Sequence, residues 1–171
     1  MSAPSQVSPD FTKLVAEYYE NLFRFAFSLA KNESDARDLV QETFLIWAKK
    51  GDALRDKSKV KSWLFTTLYR QFLRIRRRGV RQADIEPDDF ERELPPGQPT
   101  VVQSAEVSDV LEALQGVDEI YRGPLSLFYL EDQTYKEISE ALDIPIGTVM
   151  SRLSRGKTQL KKLFEKKSWN N

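Results

Sequence analysis

The sequence contains no cysteine and no histidine. The chain can therefore form no disulfide and no thiolate metal site, and it lacks the side chain that proteins use most often as a general base. It has no apolar run long enough to span a bilayer, and its first ten residues, MSAPSQVSPD, have no apolar core and do not resemble a signal peptide. We expect a cytoplasmic protein that is not inserted in a membrane.

Sequence features of enzymes are missing as well. No glycine-rich phosphate loop follows a strand pattern, and no group of acidic residues has the spacing of metal ligands. We therefore expect no metal, no cofactor, no small-molecule substrate and no catalytic residue. The chain is interpreted as a binding protein and not as an enzyme.

The formal net charge of the 171 residues is zero, but the charges are segregated along the chain. Residues 11–82 carry sixteen Lys and Arg against eight Asp and Glu, whereas residues 83–119 carry one Arg against eleven acidic residues. Residues 120–171 carry nine basic and six acidic residues. Two basic blocks joined by an acidic one indicate a polyanionic partner, although solvated helix faces would give the same counts.

The segment 83–104 divides the chain into two parts. It contains four prolines, few aliphatic residues and no sustained period, so we predict a linker without a core of its own. The flanking blocks, 11–82 and 105–168, are each long enough for a small domain, and residues 1–10 are predicted to be a disordered N-terminus. The fold class is predicted as all-α, with two small helical domains joined by this acidic, proline-rich linker.

Both flanking blocks have apolar residues at helical spacing, and neither has the alternating pattern of strands. In the first block, Ser34 is predicted to cap a helix because Asp35 and Asp38 follow it in the first turn. A further helix is predicted from about Lys59. That helix has an apolar side with Leu64, Leu68, Phe72 and Ile75, and a basic side with Arg70, Arg74 and Arg77.

The segment TYKEISEALDIPIGTVMSRLSRGKTQL, residues 134–160, contains two helical patterns separated by a short break. Thr134 and Glu137 have the spacing of a capping box, which predicts a helix that begins at about Tyr135. Pro145 is tolerated in a first helical turn, so a second helix can begin beside it. A helix, a short turn and a second helix together form the helix-turn-helix arrangement.

The second of these helices has two sides of different composition. Val149, Leu153, Gly156, Leu160 and Leu163 fall on one side, which is predicted to be packed. Short hydroxyls and arginines on the opposite side suit the DNA major groove, where Arg can reach guanine O6 and N7. A helical hairpin with a solvated polar side is the alternative. The polar side consists of Thr148, Ser151, Ser154, Arg155, Thr158 and Lys162.

Four stretches resemble parts of one protein family. YKEISEALDIPIGTVMSRLSRGKTQLKKL and the preceding ALQGVDEIYRGPLSLFYLEDQTYKEI resemble the carboxy-terminal domain of bacterial sigma factors. ESDARDLVQETFLIWAK resembles the helix that docks on RNA polymerase, and KSWLFTTLYRQFLRIRRR resembles the helix pair that melts and reads the promoter −10 element. The motifs occur in family order and cover most of residues 11–166. The chain therefore resembles the extracytoplasmic-function (ECF, group IV) RNA polymerase sigma factors.

This resemblance implies a division of work between the two blocks. Residues 11–82 would be a sigma domain 2-like module that docks on core RNA polymerase and opens and reads the −10 element. Residues 105–168 would be a sigma domain 4-like module that reads the −35 element. The linker would be the family's connector through polymerase channels, with a disordered spacer as the alternative. The implied partners are core RNA polymerase, promoter DNA and, in many members, an anti-sigma factor.

The resemblance also assigns roles to single residues of the second block. Met150, Ser151, Ser154 and Arg155 would face the bases of the −35 element, although the helical wheel places Met150 to the side of the polar face. Relatives commonly have Arg or Lys at this position. The phosphate contacts would be Arg122, Thr148, Arg152 and Lys157.

In the first block the resemblance assigns three groups of residues. The docking residues would be Asp38, Gln41 and Glu42. Trp63, Phe65 and Tyr69 would stack on unpaired bases. The basic end of the −10-reading helix would consist of Arg70, Arg74, Arg76, Arg77 and Arg78.

Two other functions are compatible with parts of the pattern. A sigma-like adaptor could bind an anti-sigma factor without reading DNA, but it would not need the basic residues. A stand-alone helix-turn-helix regulator would leave the DLVQETFLIWAK stretch without a role. Since few contacts are expected across the linker, we also predict that the two modules move relative to one another in the free protein.

Overall fold

The computed structural model describes residues 9–83 and 105–169, and these residues contain helices and no strand. The all-α prediction is therefore confirmed for this part of the chain. Of the predicted N-terminus 1–10 and linker 83–104, only Pro9, Asp10 and Ala83 lie within the described residues. None of the described helices is both long and apolar enough to cross a membrane.

The first module consists of three long helices, α1 (Pro9–Ala30), α2 (Glu33–Lys50) and α3 (Val60–Ala83). Two short 3-10 helices, Gly51–Ala53 and Lys57–Lys59, connect α2 to α3. Phe25 of α1 and Phe65 of α3 are fully buried, and their rings lie 5.4 Å apart. Burial of each such side chain stabilises the fold by about 1.5–3 kcal/mol, so this core fixes which side of α3 faces outward.

The apolar side of α3 agrees with the prediction except at its end. Leu64, Leu68 and Phe72 are buried, whereas Ile75 is 54% exposed. Ile75 lines an open cleft together with Ala30, Leu39 and Arg122, so its side chain is only partly covered. Arg74, Arg77 and Arg78, in the last turns of α3, are exposed.

The prediction that Ser34 is the N-cap of α2 is wrong. The cap is Asn32, whose side-chain oxygen accepts a hydrogen bond of 2.8 Å from the backbone N–H of Asp35. Lys31 has a φ of 65° and ends α1 just before this cap. The chain therefore turns two residues earlier than predicted, and Ser34 lies inside the first turn of α2.

The second module contains α4 (Ala105–Gln115), α5 (Glu119–Tyr129), α6 (Tyr135–Leu142) and α7 (Ile146–Trp169). The predicted capping box is confirmed: Thr134 Oγ1 accepts from Glu137 N at 3.2 Å, and Glu137 Oε2 accepts from Thr134 N at 2.7 Å. Asp143, with a φ of 54°, ends α6 and turns the chain into α7. The helix-turn-helix prediction is thus confirmed at the level of the backbone.

The packed side of α7 is also confirmed. Val149, Leu153 and Leu160 are buried, and a Cβ atom added at Gly156 would lie 2.8 Å from a methyl carbon of Leu125. The absence of a side chain at Gly156 therefore lets α5 and α7 approach closely. This contact holds the polar side of α7 away from the module.

The two modules pack against each other, so the expectation of few contacts between them is wrong. Helix α5 contacts α1, and α6 contacts α3. Arg122 of α5 donates a hydrogen bond of 3.1 Å from Nη1 to the backbone oxygen of Leu29, in the last turn of α1. That turn of α1 has no basic residue of its own, so Arg122 supplies the cation that a helix C-terminus favours.

A second polar contact between the modules lies at the loop that joins α5 to α6. The side chain of Glu131 is 2% exposed and lies 3.6 Å from the guanidinium of Arg24 in α1. Its Oε1 atom has no hydrogen-bond partner among the described residues. Burial raises the pKa of Glu131 to about 7, against the opposing effects of Arg24 and Lys61. The carboxyl group is therefore poorly compensated when it is ionised.

The raised pKa predicts that Glu131 makes the folded protein less stable at high pH. The folded protein holds this proton more tightly than the unfolded chain does, because the pKa of the carboxyl group is 4.5 in the unfolded chain. The stabilisation that the bound proton gives to the folded protein is complete below pH 4.5, and it is lost as the pH rises through 7. Since glutamine resembles the protonated form, Glu131→Gln should be more stable than the original chain at pH 8, by at most about 3 kcal/mol, and similar to it at pH 5.

Urea denaturation of both proteins at pH 5 and pH 8 measures this difference. Glu140→Gln, on the exposed side of α6, is the matched control for loss of a carboxylate from the same module. A difference between Glu131→Gln and the original chain that is the same at both pH values would show that Glu131 does not titrate between them.

Candidate nucleic-acid interface

The N-terminal half of α7 presents the hydroxyl and arginine side that was predicted from the sequence. Ser151, Ser154 and Arg155 are exposed, and Thr148 is half-buried. The hydroxyl of Ser151 donates to the backbone oxygen of Thr148 at 3.1 Å, which leaves the oxygen of Ser151 able to accept. Met150 is 52% exposed, although the helical wheel placed it to the side.

Two cationic residues of α7 lie at the edges of this surface. Lys157 is half-buried, and its ammonium nitrogen lies 4.3 Å from the centroid of the Phe128 ring. This cation–π contact restricts the position of the charge. Arg152 is also half-buried and faces the first module. Phe128 was missed in the sequence, since it belongs to another helix and carries no polar group.

The basic end of α3 is the second candidate surface. Arg74, Arg77 and Arg78 are exposed on the last turns of the helix. These turns extend beyond the core of the first module. A cluster of guanidinium groups on a projecting helix is suited to contact with a phosphate backbone.

Two further arginines of α3 contact acidic residues of the second module. Arg76 donates from Nε to Glu119 Oε1 at 2.6 Å, and Arg70 lies 3.8 Å from a carboxylate oxygen of Asp143. Glu119 stands in the first turn of α5, where an acid also favours the helix dipole. No local signal in the sequence indicates either pair, because the partners are far apart along the chain.

Arg122, predicted to contact phosphate, occupies a different position in the structure. It is 6% exposed, and its guanidinium faces the C-terminal end of α1. Burial lowers the pKa of Arg122, while the neighbouring carboxylate of Glu119 raises it. In this arrangement Arg122 joins the two modules and cannot reach DNA.

The two candidate surfaces meet at one cleft between the modules. The cleft has a volume of about 650 Å³ and lies between α3, α5, α6 and α7. Its charged lining residues are Arg70, Arg77, Glu119, Asp143 and Arg152. Arginines that the sequence assigns to two separate DNA elements are therefore neighbours here, and acidic residues of the second module lie among them.

The aromatic residues predicted to stack on bases have different surroundings. Phe65 is fully buried in the core of the first module, so the structure corrects the prediction of base stacking for this residue. Trp63 is half-buried and packs edge-on against Trp47, with the ring centroids 5.1 Å apart. Tyr69 is half-buried at the module interface, and burial raises its pKa. Only Trp63 and Tyr69 retain accessible ring surface.

The outer side of α2 is a third candidate surface. Asp38, Gln41 and Glu42 are exposed there, at positions i, i+3 and i+4 of one helix face. Leu45, which follows at i+7, is 48% exposed and was missed by the sequence analysis. Its register with Asp38 was visible in the sequence. An acidic and polar surface with one exposed leucine is suited to docking on a protein.

Models of two protein families match the chain. The model "Sigma-70 region 2" matches residues 14–82, and the model "Sigma-70, region 4" matches residues 108–160. The first range contains the exposed side of α2 and nearly all of α3. The second contains the helix-turn-helix.

Whole proteins are similar over most of the chain. ECF RNA polymerase sigma factor SigE of Mycolicibacterium smegmatis is 31% identical over 165 residues, which cover 94% of this chain and 63% of that protein. The chain therefore spans less than two thirds of the length of SigE. ECF RNA polymerase sigma factor SigM of Bacillus subtilis is 30% identical over 150 residues, which cover 87% of this chain and 91% of SigM.

A solved structure has the same arrangement of helices. The sigma factor RpoE of Bartonella quintana, in complex with the anti-sigma factor NepR, superposes with a TM-score of 0.75 at 29% identity. The superposition covers 92% of this chain and 98% of that one.

Proposed function

The chain belongs to the family of ECF RNA polymerase sigma factors, and we propose that it binds core RNA polymerase and directs transcription initiation at promoters with −10 and −35 elements. The strongest support is the exposed hydroxyl and arginine side of α7, which lies within the range matched by sigma-70 region 4. In this proposal the chain works in the cytoplasm and is not itself an enzyme, since polymerase supplies the active site. The chain contributes the contacts that place polymerase on DNA.

The −35 element is read by α7 in the major groove. Exposed side chains in the first half of the helix reach base edges, and the flanking cations bind phosphates. Arg122 can join the phosphate contacts only after the modules separate, because it is buried against α1 in the described arrangement. The other proposed residues are Thr148, Met150, Ser151, Arg152, Ser154, Arg155 and Lys157.

The −10 element is bound at the projecting end of α3. Arg74, Arg77 and Arg78 are exposed and can meet the phosphate backbone directly. Arg70 and Arg76 become available when they leave Asp143 and Glu119. Trp63 and Tyr69 offer ring surface on which opened bases can stack.

Core polymerase docks on the exposed side of α2. Asp38, Gln41 and Glu42 supply the polar contacts, and Leu45 adds an apolar contact at the end of the same face. Docking raises the effective concentration of α7 and α3 near DNA. A module of this size can therefore bind its promoter element weakly by itself and strongly within the polymerase complex.

An anti-sigma factor is part of the proposal as well. The related RpoE has been solved in complex with the anti-sigma factor NepR. A similar partner of this chain would bind the two modules while they are packed against each other.

In vitro transcription tests the proposed function. Purified chain is added to sigma-free core RNA polymerase with a pool of genomic promoter fragments, and the transcript starts are sequenced. We expect starts that share two sequence motifs about two helical turns of DNA apart. Binding to polymerase without specific starts would favour a sigma-like adaptor, and absence of polymerase binding would favour a stand-alone DNA reader.

Reversal of one charge on α2 should weaken polymerase docking. We expect Asp38→Arg to reduce the affinity for core polymerase roughly tenfold or more, because a like charge then faces the site that accepted the carboxylate. Fluorescence anisotropy of a labelled chain, titrated with core polymerase, measures the effect. Glu140→Arg, on an exposed position of α6, is the charge-matched control and should bind normally. Equal affinities for all three proteins would place the docking surface elsewhere.

Removal of one guanidinium from α7 should relax the −35 sequence preference. We expect Arg155→Ala to cost about 1–3 kcal/mol on promoters with the preferred −35 base at one position, and less on promoters that lack that base. Binding of the polymerase complex to a set of single-base −35 variants measures this. Lys166→Ala, an exposed cation in the last turns of the same helix, serves as the control. A uniform loss on every promoter would identify Arg155 as a phosphate contact.

A further inference from the structure

Two large apolar side chains are exposed at the beginning of α7. Ile146 is 49% exposed and Met150 is 52% exposed, and they stand at i and i+4. Residues at this spacing lie about 5–6 Å apart on one helix face. They therefore form a single apolar ridge at the N-terminal end of the helix.

This ridge has no role in the core of the module. Val149 and Leu153, on the packed side of α7, are 0% and 1% exposed and complete the contact with the rest of the module. A Cβ atom built on Gly147 would have no other atom within 4 Å, so the space next to the ridge is open. Single exposed apolar residues are ordinary, but here two adjoin on the helix that carries the proposed base contacts.

We propose that Met150, with Ile146 beside it, contacts the 5-methyl group of a thymine in the major groove and thereby makes thymine a determinant of the −35 element. This inference rests on the proposed function. Thymine is the one ordinary base that presents a methyl group in the major groove, and apolar side chains recognise it by contact. Methionine is flexible and polarizable, so it can adapt to the position of that methyl group.

The surroundings of the ridge favour DNA over an apolar protein partner. Ser151, Ser154 and Arg155 are exposed on the same part of the helix, and they supply hydrogen bonds and positive charge. Arg155 lies five residues beyond Met150, or roughly 7.5 Å along the helix axis. The two side chains therefore stand at different points of the helix surface, and we expect them to contact different base pairs.

The first experiment determines the preferred −35 sequence. The complex of the chain with core polymerase selects from promoters whose −35 segment is randomised, and the bound fraction is sequenced. We expect thymine to be fixed at one position, on either strand. Selection of a −35 sequence without a fixed thymine would overturn the inference and leave the proposed function intact. Absence of any sequence preference would instead overturn the reading of a −35 element itself.

The second experiment removes the methyl group without changing the hydrogen bonds of the base. Each fixed thymidine is replaced by deoxyuridine in the selected promoter, and the affinity of the polymerase complex is measured. Burial of one methyl group contributes about 0.8 kcal/mol, so we expect a loss of about fourfold at the recognised thymine. No loss at any thymine would overturn the inference.

Variants identify the residue that contacts the methyl group. Met150→Gln keeps the length of the side chain but loses its apolar end, so the deoxyuridine substitution should have little effect on this variant. Phe164→Gln is the matched control, because Phe164 is a 39% exposed apolar residue of the same helix, about 21 Å from Met150 along the axis. This control should retain the fourfold effect. An equal effect of deoxyuridine on the original chain and on Met150→Gln would show that another residue contacts the methyl group.

Discussion

The relative position of the two modules depends on helix α5 of the second module, which is buried on nearly all sides. Its residues Arg122 to Leu127 are all buried, although they belong to a module that the sequence separates from the first one by a linker. Arg122 binds the backbone oxygen of Leu29, where the last carbonyls of α1 have no partner within their own helix. One cation thus compensates a helix end in the other module. The exposed surfaces on α2, α3 and α7 have fixed relative positions because this contact is made.

The contacts that hold the modules together differ in strength. The pair of Arg70 with Asp143 is exposed on both sides, and such pairs contribute at most about 1 kcal/mol. Arg76 holds the half-buried Glu119 through two guanidinium nitrogens, and bidentate pairs of this kind are stronger. In the proposed function, a DNA phosphate replaces the carboxylate of Asp143 more easily than that of Glu119. Arg122 is buried, and its removal from α1 would leave unpaired polar groups, which is costly. Separation of the modules is therefore controlled by the packing of α5, and the arginines of α3 follow once that packing is released.

Local signals in the sequence predicted the parts of the structure that depend on neighbouring residues. The capping box at Thr134, the helix-turn-helix and the packed side of α7 follow from spacing alone, and each is found in the structure. The wrong predictions concern two kinds of residue. Some make their contacts with distant parts of the chain, and one was predicted for a role that a neighbouring residue takes. Phe65 and Arg122 were assigned to DNA because the sequence around them resembles the family, yet their contacts are made by α1. Asn32, and not Ser34, is the N-cap of α2, because the chain already turns at Lys31.

Helix α7 separates the residues that hold the fold together from those that read the promoter in the proposed function. Val149, Leu153 and Gly156 fit against α5 and the rest of the module, so a change at any of them alters the packing. Met150 and Arg155 are exposed, and substitutions at such positions usually change the stability by less than about 0.5 kcal/mol. In the proposed function, the packed residues of α7 determine how the helix is presented to DNA, and its exposed residues determine which sequence the chain prefers.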